Sequence, residues 1–440
     1  MNRELTLEIN MGLLDFIEKS PSLYHVIDNF KNMLLEEGFT QLDESRSWSL
    51  EKGGRYFVTR GGSTIIAFKV PEKDFANFQI VASHSDSPAF KLKVNPEIEK
   101  EGHYLCLNIE KYGGMIYAPW FDRPLSLAGR VVVKDGSRLS SRLVNIDRDL
   151  LVIPNLAIHM NRKINDGFTY NPQKDMLPLF GDASCKGVLM EELSRLTGAE
   201  NPEDIVAADL YMYNRAKGTF LGAKNEFIGS PKLDDLQCAY SSMRAFIKGG
   251  NNDSVTMCCV FDSEEVGSCT SQGADSTILS DVLERISDAF GRSLQEHKSA
   301  LSGSFMVSAD NAHAVHPNCP EKADPTDRPF INRGVVIKHN ANQKYTTDAI
   351  TDAVFKGICV KAGVPVQDFS NRADEPGGST LGNISAAHVS INMVDIGLPQ
   401  LAMHSPFETA GAADTFYMVR ALEEFYNTYI AKTDDGFELK

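Results

Sequence analysis

The stretch "SVTMCCVFDSEEVGSCTS", residues 254–271, begins as a strand and stops on acids. Its apolar run ends at Phe261, and Asp262, Ser263 and the adjacent pair Glu264 and Glu265 follow, then Gly267. Successive side chains on a strand point to opposite faces, so two neighbouring carboxylates are hard to bury together within one. The pair therefore marks the place where a buried strand gives way to a loop. In open α/β sheets, sites form outside the carboxyl ends of the strands.

The same ending recurs. "NFQIVAS" runs into His84-Ser85-Asp86-Ser87-Pro88, and "GSFMVSA" runs into Asp310. Asp234 stands just before a helix expected to start near Asp235 in "LDDLQCAYSSMRAFIKGG" and to stop at the glycines. "QLAMHSP" presents His404. Between these segments the rhythm is α/β, closing with the helix "ADTFYMVRALEEFYNTYIA", for which Asp414 is the expected N-cap. From about residue 92 to residue 229 short β-like runs such as "RVVVKDG", "SRLVNID" and "DLLVIPN" alternate with turns. The predicted architecture is an α/β domain, residues 1–91 plus 230–440, interrupted by a β-rich insertion, residues 92–229.

Composition narrows the function. A net charge of −15 repels nucleic acid and anionic membranes and sets both aside as partners. The N-terminal stretch is interrupted by Glu4, Glu8, Asp15 and Glu18, so it is neither a signal peptide nor a membrane span, and it reads as helix with a break near Pro21. The eight cysteines show no CxxC spacing, and Cys258 and Cys259 sit in an apolar run. Free buried thiols and a cytoplasmic location are expected. HExxH, GxSxG and Walker-type loops are missing, and "GGRYFVTRGG" reads as a hairpin rather than a dinucleotide loop.

Two histidines and five acids thus gather at strand or helix boundaries. Such a set suits two divalent metals about 3.5–4 Å apart, with one carboxylate bridging them. Zinc is the usual occupant of mixed His and carboxylate sites, and manganese or cobalt also fits. One glutamate of the 264/265 pair can ligate a metal while the other takes a proton from the activated water. Asp86, two residues after His84, can fix the orientation of its ring. Each motif alone has a plainer reading: a solvated helix start, a capped turn, a polar loop. His313 and His316 have ligand-like spacing, but the polar-loop reading is preferred for them.

With "SPSLYHVIDN", "ASHSDSP", "FDRPLSLAGRV", "IPNLAIHMNR", "SPKLDDL", "DSEEVGS", "SADNAHAVHPN" and "PQLAMHSPFE" in order, the chain resembles the aspartyl aminopeptidase family of co-catalytic zinc exopeptidases. The resemblance implies a zinc-exopeptidase-like α/β fold whose insertion serves dimerisation. It further implies removal of single N-terminal residues from peptides. By position, His84, Glu265, Asp310 and His404 correspond to terminal ligands of two metal ions, Asp234 to the bridging ligand, Glu264 to the general base and Asp86 to the orienter of His84. Family members form dodecamers built from dimers, in which the histidine matching His159 reaches into a neighbour's site. "DEPGGSTLG", with Gly377, Gly378, Ser379 and Thr380, resembles the substrate-pocket loop. The lysine that pairs with an acidic substrate side chain aligns with Asn342. Lys344, with Lys338 nearby, is then the expected cation, and only a modest preference for Asp and Glu is expected. Rival expectations are the same machinery acting on neutral or basic residues or N-acyl amino acids, and a non-catalytic assembly protein.

Overall fold

A computed structural model describes residues 3–440. Among them, the largest sheet has nine strands. Its middle is four parallel neighbours in the order Ser254–Phe261, Asn77–His84, Phe305–Ala309 and Asn392–Gly397. The first two of these are buried along their whole length, as parallel strands covered on both faces must be. The expected hairpin is present beside them. Arg55–Arg60 and Thr64–Lys69 pair antiparallel across a turn in which Gly61 and Gly62 take positive φ, a region other residues rarely enter.

Strand alternation divides the apolar side chains between two cores. Val81, Cys258, Val260, Phe305 and Val307 face the helices Arg3–Glu18, Leu23–Glu36, Leu233–Lys248, Ala349–Ala362 and Asp414–Asn427. Ile80, Ala82, Met257, Cys259, Phe261 and Met306 face Ile278–Ala289 and Leu294–Ser302 on the other side. Adjacent cysteines 258 and 259 therefore sit in different cores. Phe305 is fully buried, and truncating it to alanine is expected to cost about 3–5 kcal/mol.

The chain leaves the central sheet at His84 and enters a second sheet at Ala89. This six-stranded antiparallel sheet runs Arg138–Asn145, Leu125–Asp135, Ile205–Asn214, Ala89–Lys100, Tyr104–Tyr112, Leu179–Asp182. Its own core joins Phe90, Leu107, Leu127, Val131 and Met212 to Leu189 and Leu193 of the helix Val188–Thr197. Residues 219–230 go elsewhere: Thr219–Leu221 pairs with Phe227–Ser230, and the latter with Glu408–Gly411, in a five-stranded sheet. "DLLVIPN" contributes isolated bridges at Leu151 and Val152 rather than a strand.

Two sequence expectations change. Asp414 is not the cap of its own helix; it lies inside the first turn, and its carboxylate accepts from the backbone N–H groups of Asn332 and Gly334. All eight cysteines are free, but only Cys238, Cys258, Cys259 and Cys359 are buried, while Cys269 and Cys319 are exposed. No described helix is long and apolar enough to cross a membrane.

Candidate active site

Register brings the strand ends level. Phe261 pairs with His84 and Ser308 with Ala82, so the residues that follow Phe261 and Ala309 emerge beside His84. His84, Asp234, Glu264, Glu265, Asp310 and His404 converge there, with Asp86 beneath them. His84, Asp86, Asp234 and Asp310 are buried.

Asp234 stands between the two histidines. Its Oδ1 lies 3.7 Å from His84 Nε2 and its Oδ2 lies 3.3 Å from His404 Nε2. Glu265 Oε1 is 3.4 Å from the same His404 nitrogen. Donor atoms fall into overlapping groups, each within 4.8 Å: His84 with Asp234, Asp235 and Asp310; His84 with Glu264 and Glu265; and Asp234 with Glu265 and His404. Two carboxylates, Asp234 and Glu265, each belong to two of these groups, so neighbouring donor sets share ligands.

The electrostatics favour cations here. Burial pushes Glu264 up to about 8 and carries Glu265 and Asp235 well above the usual carboxylate range. Burial pulls the His84 imidazole down, but Asp235, Asp234 and Asp86 outweigh it and raise it well above an ordinary histidine. Asp234 is lowered, because His404 and His84 overcome its burial. Asp234 Oδ1, Asp235 Oδ1 and Glu265 Oε1 are buried without a hydrogen-bond partner. Desolvated carboxylate oxygens of this kind are costly unless paired or coordinated. The donor set, imidazole and carboxylate, matches zinc.

The surroundings hold these groups in place. His84 Nδ1 faces Asp86, 3.0 Å from its backbone oxygen and 3.3 Å from Oδ1. The Asp86 carboxylate also accepts from the backbone N–H groups of Glu264 (3.2 Å) and Glu265 (3.1 Å) and from the Tyr112 hydroxyl (2.7 Å). The 263–267 loop can turn so sharply because Ser263 and Gly267 both take left-handed backbone angles.

Three functional neighbours escape a reading of strand ends. Asp235 accepts from the His84 backbone N–H at 3.0 Å; the doubled acid in "KLDDLQ" was its signal. Lys338 is buried with Nζ 3.6 Å from Asp310 Oδ2; burial pulls its pKa down, but Asp310 together with Tyr345, Asp395 and Cys238 outweighs burial and raises it. It is thus a partner of Asp310, not an open cation for a substrate. Glu408 accepts from the backbone N–H groups of both Asp234 and His404, and only its place four residues after His404 pointed to it.

Other expected residues lie apart. His159 is exposed on the insertion loop and touches none of these groups within its own chain. Lys344 and Asn342 are exposed in a turn. Gly378 and Ser379 are exposed, the Ser379 hydroxyl donating to Asn383, whereas Thr380 is buried and donates to Asp395 at 2.6 Å. His313 rests against the Phe369 ring and His316 is exposed. A separate group of His339, Asp352 and Asp368 already encloses a cation, since Lys356 Nζ lies 3.0 Å from Asp352 and 2.9 Å from Asp368.

The sequence profile of the family described as "Aminopeptidase I zinc metalloprotease (M18)" matches residues 16–426. A protein described as "Probable M18 family aminopeptidase 2" from Clostridium acetobutylicum is 49% identical over 428 residues, which is 96% of this chain and 99% of that one. Its counterpart in Pseudomonas aeruginosa UCBPP-PA14 is 40% identical over 95% of this chain and 98% of its own. Among solved structures, the one titled "Cryo-EM structure of the Ape4 and Nbr1 complex" superposes with a TM-score of 0.92 at 37% identity, covering 96% of this chain and 86% of that one. The "Structure of S. cerevesiae mApe1 dodecamer" does so at 0.83 and 26%, covering 94% and 95%.

Proposed function

The chain belongs to the M18 family of zinc metalloprotease aminopeptidases, and from that premise we propose that it removes single N-terminal residues from peptides at a centre of two divalent metals. The observation that carries the two-metal reading is Asp234, whose two oxygens face two different histidines. His84, Asp310 and the shared Asp234 would hold one ion; Asp234, Glu265 and His404 would hold the other. Zinc fits the donors best, with manganese or cobalt as alternatives.

When bound, such ions supply Lewis acidity, lowering the pKa of water to roughly 7 and polarising the scissile carbonyl. The chain does the rest. Glu264 takes the proton of the attacking water on a carboxylate oxygen and delivers it to the nitrogen of the leaving amine. Asp86 holds His84 through Nδ1 and fixes the loop that carries both glutamates. His159 of a neighbouring subunit supports the developing oxyanion. That role needs an assembly, and the solved dodecamer of a relative supports one here, built from dimers through the 92–229 insertion. The free thiols fit the cytoplasm.

For substrate choice, Gly378, Ser379 and Thr380 belong to the loop expected to receive the substrate, and Lys344 is an exposed lysine two residues after Asn342. An uncharged Asn342 gives a modest preference for Asp and Glu. A panel of aminoacyl-nitroanilides, assayed on chelator-treated protein with zinc, manganese or cobalt restored, tests the whole reading. Full activity in protein shown by elemental analysis to be metal-free would defeat it.

A further inference from the structure

We infer that Glu408 is a positioning residue that sets His404 for the metal centre, acting on its backbone. This rests on the two-metal reading above. The two candidate histidines are supported differently. His84 has its free ring nitrogen engaged by Asp86. Metal-binding histidines ordinarily rely on such a bond to fix ring orientation. Among the described residues, nothing hydrogen-bonds Nδ1 of His404; a Cβ built on Gly114 would be 4.0 Å away. The His404 ring must be aimed by its backbone instead.

That backbone is unusual. His404 takes φ 66° and Ala402 φ 57°, left-handed angles that non-glycine residues adopt only when the surroundings impose them. Glu408 holds the backbone at His404. Its Oε1 accepts from the His404 N–H at 2.8 Å and its Oε2 from the Asp234 N–H at 3.0 Å, while the His404 carbonyl accepts from Ile116 N–H at 3.1 Å. Glu408 is 2% exposed and pinned by the pairing of Ser230 with Glu408. One carboxylate thereby spans two ligands, one at the start of the helix Leu233–Lys248 and one in the turn before Glu408, and sets their spacing. An amide cannot repeat this. Glutamine offers one acceptor, so either the His404 or the Asp234 N–H is left facing an NH2 group.

The test is a zinc titration of metal-free protein against a chromophoric chelator, with the melting temperature of each metal-free variant recorded alongside. Wild type should bind two equivalents and His404→Ala should lose one. Glu408→Gln should bind both, the equivalent that uses His404 10–100-fold more weakly and the other, reached only through the shared Asp234, less affected, the scale seen when a ligand's outer partner is removed. Glu408→Gln affinities within twofold of wild type at both equivalents, with His404→Ala weakened, overturn the inference and leave the two-metal reading standing. Fewer than two equivalents in wild type overturn the two-metal reading and the inference with it. Should Glu408→Gln not fold, Glu408→Asp takes its place. It keeps both acceptors but shortens the reach, and greater weakening of the His404 equivalent than of the other is again expected. Equal weakening of both equivalents would make Glu408 a general structural group and overturn the inference.

Discussion

The Tyr112 hydroxyl donates to Asp86 Oδ2 at 2.7 Å, so a residue at the end of an insertion strand reaches the group that orients His84. Asp86 keeps its two backbone donors without it. Tyr112→Phe should therefore lower kcat by roughly tenfold, the worth of one hydrogen bond to a charged group, with little change in KM. Steady-state kinetics on one nitroanilide decides this; an unchanged kcat would mean that the contact carries no orientation.

Adjacent glutamates should separate by assay. Glu264→Gln is expected to keep near-normal metal content and lose about 10²–10⁴-fold in turnover. Glu265→Gln is expected to lose metal. Elemental analysis beside kinetics resolves the pair, and the opposite pattern would reverse the two roles.

Inactive His159→Ala subunits mixed with inactive Glu264→Gln subunits should regain activity, because a hybrid can pair an intact Glu264 site with an intact His159 from its neighbour. Native mass spectrometry must show that subunits exchange. No recovery in exchanged material would remove His159 from the neighbouring site.

Asn342→Lys should raise kcat/KM for aspartyl over leucyl substrates by about tenfold or more, since a charged contact to a carboxylate is worth about 1.5–3 kcal/mol. Lys344→Ala should lower what preference the wild type has. If leucyl or lysyl substrates are cleaved far better by wild type, the acidic preference is wrong and the aminopeptidase activity is untouched by that result.

Burial, then Lys232, pulls His25 down to about 4, and Ser22 Oγ lies 2.8 Å from its Nδ1. The unfolded chain protonates a histidine near pH 6.5, so between 6.5 and 4 the unfolded state binds more protons and stability falls with acidification. The loss should reach about 2 kcal/mol by pH 5. Urea midpoints of wild type and His25→Gln should converge as the pH falls from 7 to 5. Parallel curves would refute the buried neutral imidazole.

Strand ends made most of the site legible. His84, Asp310 and the glutamate pair follow apolar runs whose period and length already identify buried parallel strands, and Asp234, expected just before a helix, lies in the non-helical first turn of Leu233–Lys248. What the sequence hid came from contacts across the chain. Lys338 sits on Val335–His339, which runs antiparallel to Asn392–Gly397, and no local pattern says that a lysine there will face Asp310. Glu408 follows His404 closely, but its meaning depends on a strand pairing with Phe227–Ser230, a segment whose composition resembles the insertion before it. Asp414 misled because an acid before an amphipathic run looks like a cap, whereas the loop at Asn332 uses it.

The convergence of Asp234 and His404 on one point has a bearing on how the protein matures. The groups that meet there are drawn from His84 through His404, so a chain emerging from the ribosome cannot assemble them until nearly all of it has been made. The last strands to dock bring buried carboxylates against one another, and that step is resisted by their mutual repulsion unless cations arrive with it. An ion that binds only the finished arrangement stabilises it by about 2.7 kcal/mol at a hundred times its Kd. If the centre binds metal as proposed, metal supply during synthesis should set the yield of folded protein as well as its rate, and cells starved of metal should accumulate less of it even when its message is unchanged.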